Sequence, residues 1–304
     1  MVSRLSNISD LADLDGPVNL AVGIFDGVHR GHAAVIGGAC ERPGTAVVMT
    51  FEPHPANVLA AKSAPGRITS LEHKQHLLEG LGVEFLIVVD FNERRACQHA
   101  EGFVDEVAEA CRLGCIAVGE NFRFGKQRRG DVALLGRMGA DLGFEVAGIE
   151  PVCDSGGEII SSTRIRGALD VGNIARVADL LGRDYSLFGV VKKGRGLGHK
   201  LGFPTANIPL NEGQFLPNGV YAVRVELEGE SIEGVANLGT RPTFEEEESM
   251  MMLEVHLFDF EREIYGQRME VFFTSHIRDE RAFDSVDALR EQIGRDVEAA
   301  KSIA

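Results

Sequence analysis

The sequence predicts an α/β protein in two parts: a parallel sheet covered by helices on both faces, then a compact antiparallel barrel with a terminal helix. Three observations predict it. The first half alternates short, nearly continuous apolar runs with segments of helical spacing, the pattern of strands buried on both faces and joined by helical crossovers. The second half alternates apolar and polar residues with period two between turn signals, as strands with one buried face do. And 304 residues are the length of two domains rather than one.

In chain order, the apolar runs of the first half are Val18–Ile24, Thr45–Phe51, Val83–Phe91, Cys115–Gly119 and Phe144–Val152. Between them, Leu71–Leu81 and Phe103–Leu113 have helical spacing, the latter placing Phe103, Val104, Val107, Ala108 and Cys111 on one face. From Ser161 to Leu181 the pattern is helical, with Ser161, Ser162 and Thr163 at the start and Leu169, Ile174, Val177 and Leu181 as apolar spacers. Gly182-Arg183-Asp184 marks a boundary, which divides the chain into expected domains 1–182 and 183–304. Beyond it, Tyr221–Leu227 alternates strictly, Glu228-Gly229-Glu230 turns it back into Ser231–Asn237, and Met251–Phe258 and Gln267–Phe273 continue the strand pattern. Many strands and few helices suggest a barrel. The four acids Glu245–Glu248 read as a solvated loop. A last helix runs from Asp284 to about Lys301, capped by Asp284 or Ser285, with Val286, Leu289, Ile293 and Val297 as its buried stripe.

The net charge of −15 argues against nonspecific adhesion to nucleic acid or an anionic membrane. A local site for a small phosphorylated substrate remains compatible with it. The partners expected are therefore small molecules, with no nucleic acid and no membrane, for a monomer or weak homo-oligomer. No run of about 18 apolar residues exists, and Met1–Asp15 lacks the apolar core of a secretory signal, so a cytoplasmic location is expected. Five scattered cysteines, Cys40, Cys97, Cys111, Cys115 and Cys153, complete no zinc pattern and read as buried free thiols.

In a parallel sheet the ligand sits beyond the carboxyl ends of the strands. Three polar corners fall there: Gly23–His32, Thr50–Pro55 and Gly119–Gly125. The first has three glycines, which leave room for a ligand near the backbone. It also has His29 and His32 just before a predicted helix, whose N-terminus suits a phosphate. Three readings of the two histidines stand: a structural pair, part of a zinc site with His54, or phosphate handling in nucleotidyl transfer. The last needs no strong base, because the attacking group is already an anion. It needs two anions held in line and the departing pyrophosphate neutralised. Arg123 could reach a substrate phosphate or pair with a neighbouring carboxylate. His54, between two prolines, could act on a ligand or only shape its loop.

In the second half, Gly194–Gly202 is glycine-rich and is followed by Phe203-Pro204-Thr205-Ala206-Asn207. In an extended segment Thr205 and Asn207 share a face, and two neutral oxygens side by side make a partial shell for Mg²⁺. A phosphate-cradling loop beside such a platform is what phosphoryl transfer requires. No Gly-x-x-x-x-Gly-Lys-Ser/Thr loop is present. Glu254, in an otherwise apolar strand, reads either as an edge residue facing water or as a general base for an attacking hydroxyl.

Gly23-Ile-Phe-Asp-Gly-Val-His-Arg-Gly-His32 resembles the signature of the histidine-rich nucleotidyltransferases. With Thr50–Pro55, Gly119–Gly125 and Ser161–Arg166, it looks like the N-terminal module of the prokaryotic bifunctional riboflavin kinase/FMN adenylyltransferases, the FAD synthetases. Gly202–Asn207, Gly219–Ala222, Asn237–Phe244, Leu253–Leu257, Tyr265-Gly266 and Arg278–Ser285 resemble the flavokinase module of the same family. The resemblance covers about Gly16 to Ala300. It implies a Rossmann-like nucleotidyltransferase domain that makes FAD and pyrophosphate from FMN and ATP. It also implies a six-stranded flavokinase barrel that makes FMN from riboflavin and ATP, both domains using Mg²⁺. His29 and His32 are then catalytic, holding the ATP phosphates with Gly23, Phe25, Asp26, Gly27, Ser161, Ser162, Thr163 and Arg166. Asn121 belongs to the nucleotide and metal site. Flavin contacts fall to Phe51, Pro53, His54, Arg123, Phe124 and, in the barrel, Arg278. Gly194, Gly196, Gly198 and Lys200 cradle phosphate, Thr205 and Asn207 hold the metal, and Glu254 is the base.

The sequence departs from the family pattern at Glu52, where aspartate is commoner, at Asp184, where proline is, and at Glu245–Glu248, where glycines are usual. Two other classes stay open: an adenylyltransferase acting on another small phosphate with a merely binding barrel, and a non-enzymatic flavin-responsive regulator.

Overall fold

A computed structural model of the chain describes residues 2–60, 64–194, 196–210, 213, 215–242 and 249–303. The acidic run Glu245–Glu248 and Arg195 lie outside the described residues. Contacts group the chain into two units, Met1–Pro65 with Lys74–Ser162, and Gly66–His73 with Thr163–Ala304.

The first unit is built on β1 (Ser3–Leu5), β2 (Val18–Val22), β3 (Thr45–Glu52), β4 (Phe85–Asp90), β5 (Leu113–Gly119) and β6 (Glu145–Ile149). They form one parallel sheet in the order β1-β4-β3-β2-β5-β6. The helices are α1 (Arg30–Cys40), α2 (Pro55–Leu59), α3 (Leu71–Glu79), α4 (Glu93–Ala96), α5 (Ala100–Ala110) and α6 (Val132–Leu142). β2 is buried along its whole length, as a central strand covered on both faces must be. The five expected strands are present. The sixth, β1, is a three-residue edge strand in a stretch whose polar composition concealed it, followed by a 3-10 turn at Ile8–Asp13 that buries Ile8 and Leu11. From β2 the chain adds strands in one direction through β3 and β4, then returns to the other side of β2 with β5 and β6. The sheet therefore has its topological switch point between the carboxyl ends of β2 and β5, where open α/β sheets bind ligands.

Two helices, α7 (Ser162–Asp170) and α8 (Ile174–Leu181), precede the barrel strands β7 (Ser186–Val190), β8 (Ala206–Leu210), β9 (Gly219–Leu227), β10 (Glu230–Pro242), β11 (Ser249–Leu257) and β12 (Arg268–Asp279). A five-residue helix, α9 (Leu197–Leu201), lies in the stretch read as a glycine-rich loop, and α10 (Val286–Lys301) closes the chain. The antiparallel order is β7-β12-β9-β10-β11-β8, and a bridge between Lys192 and Asn207 brings the first and last strands together. The β9–β10 hairpin pairs Leu227 with Glu230 around Glu228 and Gly229, both with positive φ, the two-residue turn that matches strand twist. Tyr221, Val223, Val225 and Leu227 alternate inward. On the opposite face Val220, Ala222 and Val235 pack with Val297 and Ala300 of α10.

Ser285 caps α10, its hydroxyl accepting from Ala288 N at 3.1 Å. The expected stripe is corrected at its start: Val286 is 61% exposed, and the helix's apolar residues are buried only at Val297 and Ala300, beside the buried Asp296. The expectation of buried thiols also needs correction, since Cys115 is buried while Cys97 and Cys153 are exposed. Among the described residues no helix is long and apolar enough to cross a membrane.

Candidate active sites

The corner after β2 is shaped by backbone strain. Phe25 and the β-branched Val28 take φ of 50° and 42°, a region that bulky side chains avoid unless their surroundings impose it. The surroundings are visible. Lys74 is buried and donates to Ile24 O at 2.6 Å and to Thr50 Oγ1 at 3.2 Å. Thr50 Oγ1 donates to Ile24 O at 2.9 Å, and Ser162 Oγ donates to Asp26 O at 2.9 Å.

Out of this corner His29 caps α1. Its Nδ1 accepts from His32 N at 3.3 Å, so the neutral ring carries its proton on Nε2, leaving that nitrogen a donor. The His29 and His32 rings stack at 3.5 Å and 17°. Both line a cavity of about 1110 Å³ with Gly23, Phe25, Phe51, His54, Asn121, Arg123 and Phe124. The residues that sequence spacing drew to one sheet edge thus meet in one space beside the switch point. His54 repeats the arrangement, accepting from Ala56 N at Nδ1 (3.1 Å) as the cap of α2.

Asp26, Gly27, Pro53, Ser161 and Ser162 are not among the lining residues. Thr163 and Arg166 are grouped with the second unit, where Arg166 Nε donates to Gly66 O at 2.7 Å. Sequence reasoning missed much of the wall. Phe91, Phe103 and Phe122 also line the cavity, with Phe122 stacked on Phe124 at 5.4 Å and 17° and Phe51 edge-on to Phe91 at 6.0 Å. Lys126 and Arg128 add positive charge, whereas the guanidinium of Arg95 is held by Glu106 at 2.5 and 3.1 Å. Burial pushes the Glu106 carboxyl up, but hydrogen bonds from Arg95 and Gln98 and the charges of Arg95 and Arg94 outweigh it, so its pKa is lowered. An aromatic slot with a basic rim suits a flat ring system carrying a phosphate.

The second unit has its own cavity, of about 470 Å³, on the outer face of the barrel beneath α10. Strand register builds it. Asn207 on β8 pairs with Glu254 on β11, and Glu254 pairs with Asn237 on β10. Residues opposite one another share a face, so the three side chains form a row, and all line the cavity. Glu254 is therefore not on an edge: β11 lies between β10 and β8. Asn207 is buried, and its Nδ2 donates to Thr205 O at 3.0 Å, so Oδ1 is the amide's acceptor atom.

The glycine-rich segment is seated on this platform. A Cβ on Gly194 would lie 2.6 Å from Asn207 Nδ2, and one on Gly198 would lie 2.4 Å from Phe203 O and 3.2 Å from Thr205 Oγ1. Only glycine permits that approach. Gly196 also lines the cavity, and Lys200 is not among its lining residues. Arg278 lines it but is fixed in place, with Nε and Nη2 on the buried Asp296 at 2.7 to 3.1 Å. His256 Nδ1 lies 2.8 Å from Pro204 O and so carries the proton there. Among the described residues no group of three His, Cys, Asp or Glu side chains could hold a metal ion. The oxygens of Thr205 and Asn207, completed by phosphate and water, fit a hard cation such as Mg²⁺.

Two family profiles match the chain, FAD synthetase over residues 12–164 and riboflavin kinase over residues 181–304. The bifunctional riboflavin kinase/FMN adenylyltransferase of Escherichia coli (strain K12) is 41% identical over 302 residues, covering 97% of this chain and 95% of its own. The protein of the same name from Bacillus subtilis (strain 168) is 39% identical, covering 92% and 90%. A crystal structure from Streptococcus pneumoniae, named a macrolide-efflux protein, matches at a TM-score of 0.79 and 32% identity, over 100% of this chain and 99% of that one. With an FAD synthetase domain in front and a riboflavin kinase domain behind, the chain belongs to the bifunctional riboflavin kinase/FMN adenylyltransferase family.

Proposed function

We propose that the cavity at the sheet's switch point adenylylates FMN and that the barrel cavity phosphorylates riboflavin, with ATP as donor in both and domains dividing at 182/183. The observation that carries the reading is the row Asn207–Glu254–Asn237 with Gly194 and Gly198 pressed onto Asn207 and Thr205. That arrangement supports a reading in which base, cation platform and phosphate cradle share one cavity.

In the barrel the Glu254 carboxylate accepts the proton of the terminal ribityl hydroxyl as its oxygen attacks the γ-phosphorus of ATP, and ADP leaves. Thr205 Oγ1 and Asn207 Oδ1 would hold Mg²⁺, which when bound neutralises charge on the transferred phosphate. The glycine segment lays backbone N–H groups along the phosphates.

At the switch point an FMN phosphate oxygen attacks the α-phosphorus of ATP, the bond to the β-phosphate breaks, and pyrophosphate leaves. No proton need be removed. His29 and His32 and the α1 N-terminus offset the charge on the leaving group, and Asn121 belongs to the nucleotide and metal side. The flavin ring sits among Phe51, Phe122 and Phe124, and Arg123 reaches its phosphate.

Incubation of the protein with riboflavin, ATP and Mg²⁺, followed by chromatography, should show FMN and then FAD, with ADP and pyrophosphate released. Absence of any flavin turnover overturns the reading in favour of a flavin-responsive regulator.

A further inference from the structure

Besides Glu254, and Asp296 which holds Arg278, the barrel cavity has a third carboxylate that the reaction above leaves unused. Glu280 follows β12 and lines the same cavity as Glu254. Its Oε1 accepts from Asn237 Nδ2 at 3.1 Å and its Oε2 from Asn218 Nδ2 at 3.2 Å. The carboxylate lies so close over β10 that a Cβ on Gly239 would sit 2.0 Å from Oε1. Glycine at that position makes room for Glu280.

The register row gives this carboxylate a place relative to substrate. Asn207 flanks Glu254 on the side of the phosphate cradle. A hydroxyl reacting at Glu254 therefore has the rest of its molecule on the other side, toward Asn237, one strand spacing of about 5 Å away. Beyond it on β9 stands Val220, paired with Asn237, and Phe283, Leu289 and Ile293 line the same cavity, apolar surface for a planar ring. Between ring and reacting hydroxyl, riboflavin has a polyol whose other hydroxyls need acceptors when they leave water. Arg278 offers none and is committed to Asp296. Asn237 and Glu280 are the polar groups at that place in the row.

We propose that Glu280, seated over Gly239, is the specificity-determining acceptor for the ribityl hydroxyls that are not phosphorylated. It exchanges the amide of Asn237 for substrate hydroxyls and thereby sets the terminal hydroxyl at Glu254. The inference rests on the reading of this cavity as the riboflavin-phosphorylating site.

The test uses the full chain and reads only the kinase reaction: KM for riboflavin and for ATP, and the inhibition constant of lumiflavin, which has the ring and no polyol, as a competitor of riboflavin. In Glu280→Gln and Glu280→Ala the riboflavin KM should rise roughly ten- to a hundredfold, the loss expected for a charged hydrogen bond. The lumiflavin constant and the ATP KM should stay within about twofold. Gly239→Ala supplies an independent variant, because the added methyl meets the mobile end of Glu280 and should displace it with the fold intact. It should reproduce the selective rise. Equal weakening of riboflavin and lumiflavin, or an unchanged riboflavin KM in the Glu280 variants, overturns the proposal. Full phosphorylation by Asn207→Ala would instead overturn the reading of the site itself.

Discussion

At the scale of single residues, His29 does two jobs that substitution can separate. It caps α1 through Nδ1, and its ring lines the cavity. Asparagine is as good a cap, whereas alanine forfeits about 1 kcal/mol of helix stability. His29→Asn should therefore unfold within a few degrees of the parent while adenylyl transfer falls on the order of a hundredfold, the loss of one preorganised donor. Retained transfer would remove His29 from the chemistry. The thiols give a second residue-scale outcome. Burial pushes the Cys111 thiol up to about 11, so at pH 8 only about one part in a thousand is thiolate. Alkylation at pH 8 should label the exposed Cys97 and Cys153 first. Cys111 should gain reactivity about tenfold per pH unit up to its pKa. Labelling of Cys111 as fast as Cys97 at pH 8 would contradict that environment. The motif residues that line the two cavities were legible because their fixed offsets mark them in the sequence. Lys74, Phe91 and Phe103 were not, because each reaches its site from a separate element with no local pattern to mark it.

At the scale of elements, periodicity carried the strands whose neighbours bury them and failed where neighbours are few. The five long parallel strands and the β9–β10 hairpin follow from apolar runs and a turn signal. The edge strand β1, with three residues, has too little sequence to show a period. Leu289 and Ile293 of α10 wall a cavity, while Ile293 also packs against the core with Val297, as the expected stripe had it. Glu254 could not be placed as inner or edge residue until register put it between Asn207 and Asn237.

The segment Gly66–His73 is the least legible of all. It joins the barrel unit through a buried cluster in which Ser186 Oγ donates to Glu270 Oε1 at 2.6 Å and His73 Nε2 lies 3.2 Å from the same oxygen. Removing one partner from such a cluster costs roughly 3–5 kcal/mol. Glu270→Ala should lose about that much in denaturant unfolding of the barrel. A fragment of residues 183–304 lacks His73, so it should phosphorylate riboflavin yet unfold at lower denaturant than the barrel of the full chain. A fragment that folds but is inactive would count against the independence of the modules.

At the scale of the whole molecule, two cavities lie in two separate units, and the sequence holds no Walker-type loop. The parallel sheet and the antiparallel barrel were readable from the change of period along the chain, since parallel and antiparallel sheets impose different patterns on their sequences. Two consecutive reactions were readable only by joining the motifs of both halves. The central claim is the division of labour, and crossed variants test it most directly. Riboflavin, FMN and FAD are quantified over time with ATP and Mg²⁺ for a chain carrying His29→Ala with His32→Ala and for one carrying Asn207→Ala. The first should accumulate FMN at the parent rate and make little FAD. The second should make little FMN from riboflavin yet convert supplied FMN to FAD at the parent rate. Equal loss of both reactions in either variant would contradict the account.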